Sequence, residues 1–125
     1  MRIFTCGIVE DEELARTLIT KYVQRYSQLR LTWCIESLSD TVDEQQTPPV
    51  DLVFLDLLDK PNDSYRIGDG VRINADQFQS IIITTAYPES FVQSLGIRYS
   101  KVLTKPFTYP MFEQVVTQAL ALLEQ

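Results

Sequence analysis

Histidine is absent from this chain of 125 residues. That excludes imidazole acid–base catalysis and histidine-ligated metals. Cysteine occurs twice, at Cys6 and Cys34. Two cysteines make no disulfide framework, each lies in an apolar segment, and no secretory leader precedes them. Both are therefore expected to be buried, reduced thiols. No apolar run reaches the roughly 18 residues of a membrane span. Basic residues are in deficit, 11 against 17 acidic, for a formal charge of −6. An acidic chain is a poor ligand for nucleic acid or an anionic membrane by itself. Internal repeats, low-complexity segments and linkers are also missing. The tightest proline pair, Pro48-Pro49, reads as a helix-to-strand connection. What remains is 45% hydrophobic and 22% charged, which suits one cytoplasmic globular domain over residues 1–125. A domain of this length buries about two-thirds of its unfolded surface and needs no disulfide or metal staple.

Two periods alternate along the chain. Strands are predicted at "RIFTCGIV" (2–9), "LTWCIES" (31–37), "VDLVFLD" (50–56), "SIIITTA" (80–86) and "KVLTK" (101–105). Between the first two, Leu14, Leu18, Tyr22 and Leu29, with Ile19, Val23 and Tyr26 beside them, recur at helical spacing. They predict a helix running to about Gln28. "LSDTVDEQQ" reads as a short helix with Asp40 as a cap, and "GVRINADQF" as a modest helix. "PESFVQSLG" is a helix with Pro88 at its start and Gly96 as its stop. The last helix, from Thr108, carries the stripe Met111, Val115, Ala119, Leu122. Five strand–helix alternations give an α/β fold, a doubly wound parallel sheet with helices on both faces. The nearly unbroken apolar strands at 50–55 and 81–83 fit coverage on both sides.

Ligands of such sheets bind beyond the carboxyl ends of the strands. The first strand delivers Glu10 and Asp11, the third Asp56, the fourth Thr84 and Thr85, the fifth Lys105 and Pro106. Each has a bland reading alone: acids at a helix start, a strand-end acid bonding its own loop, a β-branched strand residue, a solvated lysine, a turn proline. Together they make a chemical pattern. Converging carboxylates repel unless a cation lies among them. An all-oxygen donor set without His or Cys points to Mg²⁺ before Ca²⁺ or Zn²⁺. A lysine ammonium and a threonine hydroxyl opposite suit a phosphoryl group, on which an aspartate can act as nucleophile.

With Glu10-Asp11 after "GIV", Asp56 in "DLVFLDL", Thr85-Ala86 in "IIITTAY" and Lys105-Pro106 in "LTKPF", the whole chain resembles a response-regulator receiver domain of the CheY-like superfamily. "EDEELAR" and "TTAYPESF" look most like receivers of the LytTR type, which usually precede a DNA-binding domain. The resemblance implies a flavodoxin-like (βα)5 sheet of strand order 2-1-3-4-5. It implies Asp56 as phosphoacceptor from a histidine kinase, and a signalling domain rather than an enzyme. Mg²⁺ would be held by Asp11 and Asp56 directly, Glu10 through water and Leu58 through its backbone carbonyl. Lys105 and Thr85 would bind the phosphoryl oxygens, with Ala86 beside them. The Lys105–Pro106 bond would be cis. Phosphorylation would shift Thr85 and the surface of the fourth helix, fifth strand and fifth helix. That surface would bind an output domain or partner protein, or form a homodimer.

Three departures stand out. The switch position three before Lys105 is Val102, where an aromatic is usual, so an in-or-out ring rotamer cannot operate in its usual form; Tyr99 is a nearby substitute. Pro61 lies one residue late, and the turn "DG" at Asp69-Gly70 several residues late, so either the loop after the third strand is extended or the third helix begins late; the stretch from Lys60 to Asp69 reads as a partner or dimer contact. Leu58 and Tyr87, two residues beyond Asp56 and Thr85, are neither acids nor amides, which implies a slowly hydrolysing phosphoform. Two other functions compete. One is a receiver-shaped interaction module that is never phosphorylated. The other is a metal-dependent phosphohydrolase, which commonly has a second acid where this chain has Leu58.

Overall fold

The computed structural model describes residues 1–36, 48–56 and 78–124. Its strands are β1 (Phe4–Val9), β2 (Leu29–Ile35), β3 (Leu52–Asp56), β4 (Ser80–Thr85) and β5 (Lys101–Thr104). They form one parallel sheet in the order β2-β1-β3-β4-β5, as the sequence led us to expect. Three helices are described: α1 (Glu13–Arg25), α2 (Glu89–Ser94) and α3 (Tyr109–Leu123). The last two are the fourth and fifth helices of the sequence reading. The helices expected at 38–46 and 70–78, with the Asp40 cap, Leu58, Pro61 and the Lys60–Asp69 loop, lie outside the described residues, except Phe78.

Alternation along the strands divides the core in two. Phe4, Cys6, Ile8, Leu52, Phe54, Ile82 and Leu103 face α1 and α3. Val9, Trp33, Val53, Leu55, Ile81 and Ile83 face the side that carries Val92 of α2. Phe112 of α3 is fully buried at the centre of the first half. Its ring stacks on Phe54 at 5.4 Å and meets Tyr22 at 5.5 Å, Tyr109 at 5.9 Å and Tyr26 at 6.5 Å. In the second half the Trp33 indole lies flat on Gly7, where a Cβ would fall 2.4 Å from the ring, so only glycine fits.

Several boundaries and faces differ from the sequence reading. β1 begins at Phe4, not Arg2, and α1 ends three residues before Gln28. Tyr26 turns extended, and Leu29, counted with the helical stripe, opens β2 by pairing with Phe4. Two adjacent stripes compete on α1. Ile19 and Val23 are buried, whereas Leu14 is 77% exposed. On α3 the buried face is Phe112, Val116, Ala119 and Leu120; Met111 and Leu122 are exposed. The large aromatic set the rotation of the helix, since a ring removes more apolar surface from water than a flexible methionine at the rim. Gly96 does stop α2, at a φ of 69°. Thr108 sits at the start of α3 without a side-chain cap bond.

The cysteines also part company. Cys6 is buried, and desolvation pushes its thiol up to about 12. Cys34, expected to be buried, is exposed because β2 is a sheet edge with alternating exposure. Its thiol is raised by desolvation of the sulfur, with Arg16 opposing and Glu10 adding. At pH 8 a thiol near 12 is thiolate in roughly one molecule in ten thousand. Iodoacetamide should therefore modify Cys34 of the native chain and reach Cys6 only in denaturant. Equal native rates at both thiols would contradict this packing.

Candidate functional site

Three strand ends and the loop after β5 deliver the expected residues to one rim. Parallel pairing places Asp56, the last residue of β3, opposite Thr84 of β4. Glu10 follows β1 directly and is fully buried. Its N–H donates to the Ile35 carbonyl at 3.0 Å, and its Oε2 accepts from the Glu12 N–H at 3.2 Å. Asp11 is exposed at the mouth. One carboxylate oxygen each from Glu10, Asp11 and Asp56 lies within 4.8 Å of the others.

Lys105 reaches across from the far edge of the sheet. Its Nζ donates to Asp56 Oδ1 at 2.7 Å and to Glu10 Oε1 at 2.8 Å. Burial alone would lower its pKa, but the hydrogen bonds and charges of Asp56 and Glu10 outweigh it and the net shift is upward. The ammonium therefore keeps its charge throughout the neutral range, and the stability it lends is lost only as pH rises past its raised value. The lysine main chain is fixed too. Its N–H donates to the Thr85 carbonyl at 2.7 Å, and the Lys105–Pro106 bond is cis.

Thr85 is fully buried, and its Oγ1 accepts the Tyr87 N–H at 3.1 Å. Ala86 is exposed beside it. Val102 is half-buried against the second core half and pairs with Ile83. Tyr99 packs on the same half and its hydroxyl donates to Glu89 Oε2, in the first turn of α2, at 3.1 Å. Leu58 lies outside the described residues.

Two contacts escaped the sequence reading. Glu10 was read only toward a metal, yet it also shares the lysine; nothing local in the sequence links positions 95 residues apart. Arg16, one helical turn into α1, grips the Glu10 and Asp11 carbonyls at 3.0 Å each.

The donor set fits Mg²⁺. It is all oxygen, anionic and only partly desolvated. Two oxygens bonded directly to Mg²⁺ at about 2.1 Å stand at most about 4.2 Å apart. A cluster within 4.8 Å thus accommodates two direct ligands and a third through water.

No family model matches the chain. A curated relative, the sensory transduction protein LytT of Enterococcus faecalis, is 22% identical over 112 residues, 90% of this chain. The chain spans about half, 46%, of that relative's length. Among solved structures, the response regulatory domain of protein mrkE from Klebsiella pneumoniae matches with a TM-score of 0.74 at 22% identity, covering 97% of this chain and 98% of that one. The response regulator PhyR from Brucella abortus matches at 0.77 and 23% identity, covering 98% and 49%. The chain thus has the fold of response-regulator receiver domains.

Proposed function

We propose that residues 1–125 form one cytoplasmic receiver domain of a two-component system, with Asp56 as phosphoacceptor. The observation that carries this reading is the lysine bridge. Lys105 Nζ holds Asp56 at 2.7 Å and Glu10 at 2.8 Å beside a third carboxylate, an arrangement a structural ion pair does not require. An Asp56 carboxylate oxygen attacks the phosphorus of a kinase phosphohistidine; the N–P bond breaks, a P–O bond forms, and an aspartyl phosphate results. Asp11 and Asp56 would hold Mg²⁺ directly, Glu10 through water and Leu58 through its carbonyl, and the ion would supply positive charge against the phosphoryl group. Lys105, already charged and aimed at Asp56, pairs with a phosphoryl oxygen. Thr85, beside Ala86, gives up its bond from Tyr87 N–H and turns its hydroxyl toward the phosphate.

That turn draws on the loop between β4 and α2, and so on the surface of α2, β5 and α3. Val102 offers no ring to follow Thr85. The Tyr99–Glu89 bond ties β5's approach to the first turn of α2 and stands in the aromatic's stead. The switched surface meets an output domain, a partner protein or a second copy of the chain.

Acetyl phosphate with Mg²⁺ should add one phosphoryl group by intact mass, and none to Asp56→Asn. After desalting, the adduct should persist for minutes or longer, since Tyr87 and Leu58 position no attacking water. Decay within seconds would contradict that lifetime. No adduct in the wild-type chain would favour the interaction module, and steady turnover of phosphate esters a hydrolase.

A further inference from the structure

We propose that Arg16 is a positioning residue of the cation site: it holds the Glu10–Asp11 main chain so that both carboxylates face Mg²⁺. The inference rests on the receiver reading above and deepens it. Arg16 Nη1 donates to the Glu10 carbonyl at 3.0 Å and to the Asp11 carbonyl at 3.0 Å. The two bonds hold two successive peptide units, one on each side of the Asp11 Cα. The grip is anchored from below, because the Arg16 N–H joins the helix through the Glu12 carbonyl at 2.9 Å. On the opposite side the Glu10 N–H is held by the Ile35 carbonyl at 3.0 Å. The main chain that carries both acids is thus held from β2 and from α1 together.

The bland reading makes Arg16 half of a surface ion pair. Its Nη1 lies 3.7 Å from Glu36 Oε1, but the Glu36 side chain is 68% exposed. Exposed pairs at that distance contribute little. The shorter bonds to the main chain dominate the geometry.

Charge and geometry act in opposite directions here. A guanidinium close to a cation site repels the cation. Its planar fork, however, orients the groups that bind it. Positioning and charge therefore give opposite signs when the arginine is removed. Lysine separates them further, since it keeps the charge and loses the fork.

The test is calorimetric titration of Mg²⁺ alone into the wild-type chain, Arg16→Ala, Arg16→Lys and Glu36→Gln, with melting curves to establish that each variant is folded. Partners that orient metal ligands typically contribute about tenfold or more in metal affinity. Arg16→Ala and Arg16→Lys should both bind Mg²⁺ about tenfold more weakly, and Glu36→Gln should match the wild type. Unchanged affinity in both arginine variants overturns the inference. So does tighter binding by Arg16→Ala with Arg16→Lys unchanged, which would leave charge as the only effect. A loss in Glu36→Gln equal to that in Arg16→Ala overturns it in favour of the ion pair. A wild-type chain that takes up no Mg²⁺ removes the receiver reading and this inference together, whereas wild-type uptake with indifferent variants removes the inference alone.

Discussion

Phe112→Ala is expected to lower folding stability by about 3–5 kcal/mol, the range for deleting a buried aromatic. The side chain is fully buried and meets four other rings, contributed by α1, by Tyr26 just beyond it, by β3 and by its own helix. Those rings are held by separate elements, so they cannot collapse together into the space left behind, and the cavity cost adds to the lost transfer free energy. Domains of this kind hold about 5–15 kcal/mol in total. Urea unfolding should show the midpoint falling by a large fraction with the slope unchanged. A loss below about 1 kcal/mol would mean that α3 does not pack on the sheet through Phe112. Met111→Ala, one residue away and 42% exposed, should change little.

Lys105→Met is expected to act on both chemistry and stability. It removes the ammonium that bridges Glu10 Oε1 and Asp56 Oδ1. Phosphoryl uptake from acetyl phosphate should slow about 100-fold or more, the scale for losing one preorganised donor to developing negative charge. Glu10, wholly out of solvent, also loses its cation. Breaking such a pair from one side costs about 3 kcal/mol at the lower end of the known range, fitting a lysine that is 20% exposed. Mg²⁺ can replace the missing charge among the carboxylates. Melting curves should therefore show a larger gain from Mg²⁺ in the methionine variant than in the wild type. Equal gains would mean that metal and lysine do not act on the same oxygens.

The fold was legible because strands buried on both faces leave an apolar run that hardly any other element produces. "LVFL" ran into Asp56 and "SIII" into Thr84 and Thr85, polar residues at the carboxyl ends of their strands, and that placed the site on one rim. Parallel topology then brought Glu10, Asp56 and Lys105 together. Helix faces were less legible. α1 offers Leu14–Leu18–Tyr22 and Ile19–Val23–Tyr26 at the same helical spacing, and only the packed fold shows that Ile19 and Val23 are buried while Leu14 and Leu18 are exposed. Cys34 looked buried because "LTWCI" is apolar as a string, yet β2 is an edge strand and its alternate positions face out. The Lys105–Glu10 bond could not be read at all, since it spans the sheet from β5 past β4 and β3 to β1. The backbone role of Leu58 and the long loop fall outside the described residues.

The central claim is that Asp56, and no other carboxylate of the cluster, takes the phosphoryl group. Borohydride reduction of the chain loaded with acetyl phosphate and Mg²⁺ converts an acyl phosphate to a stable alcohol, which peptide mass mapping locates. The expected result is reduction at Asp56 alone. Reduction at Glu10 or Asp11, or none in the presence of Mg²⁺, would contradict it.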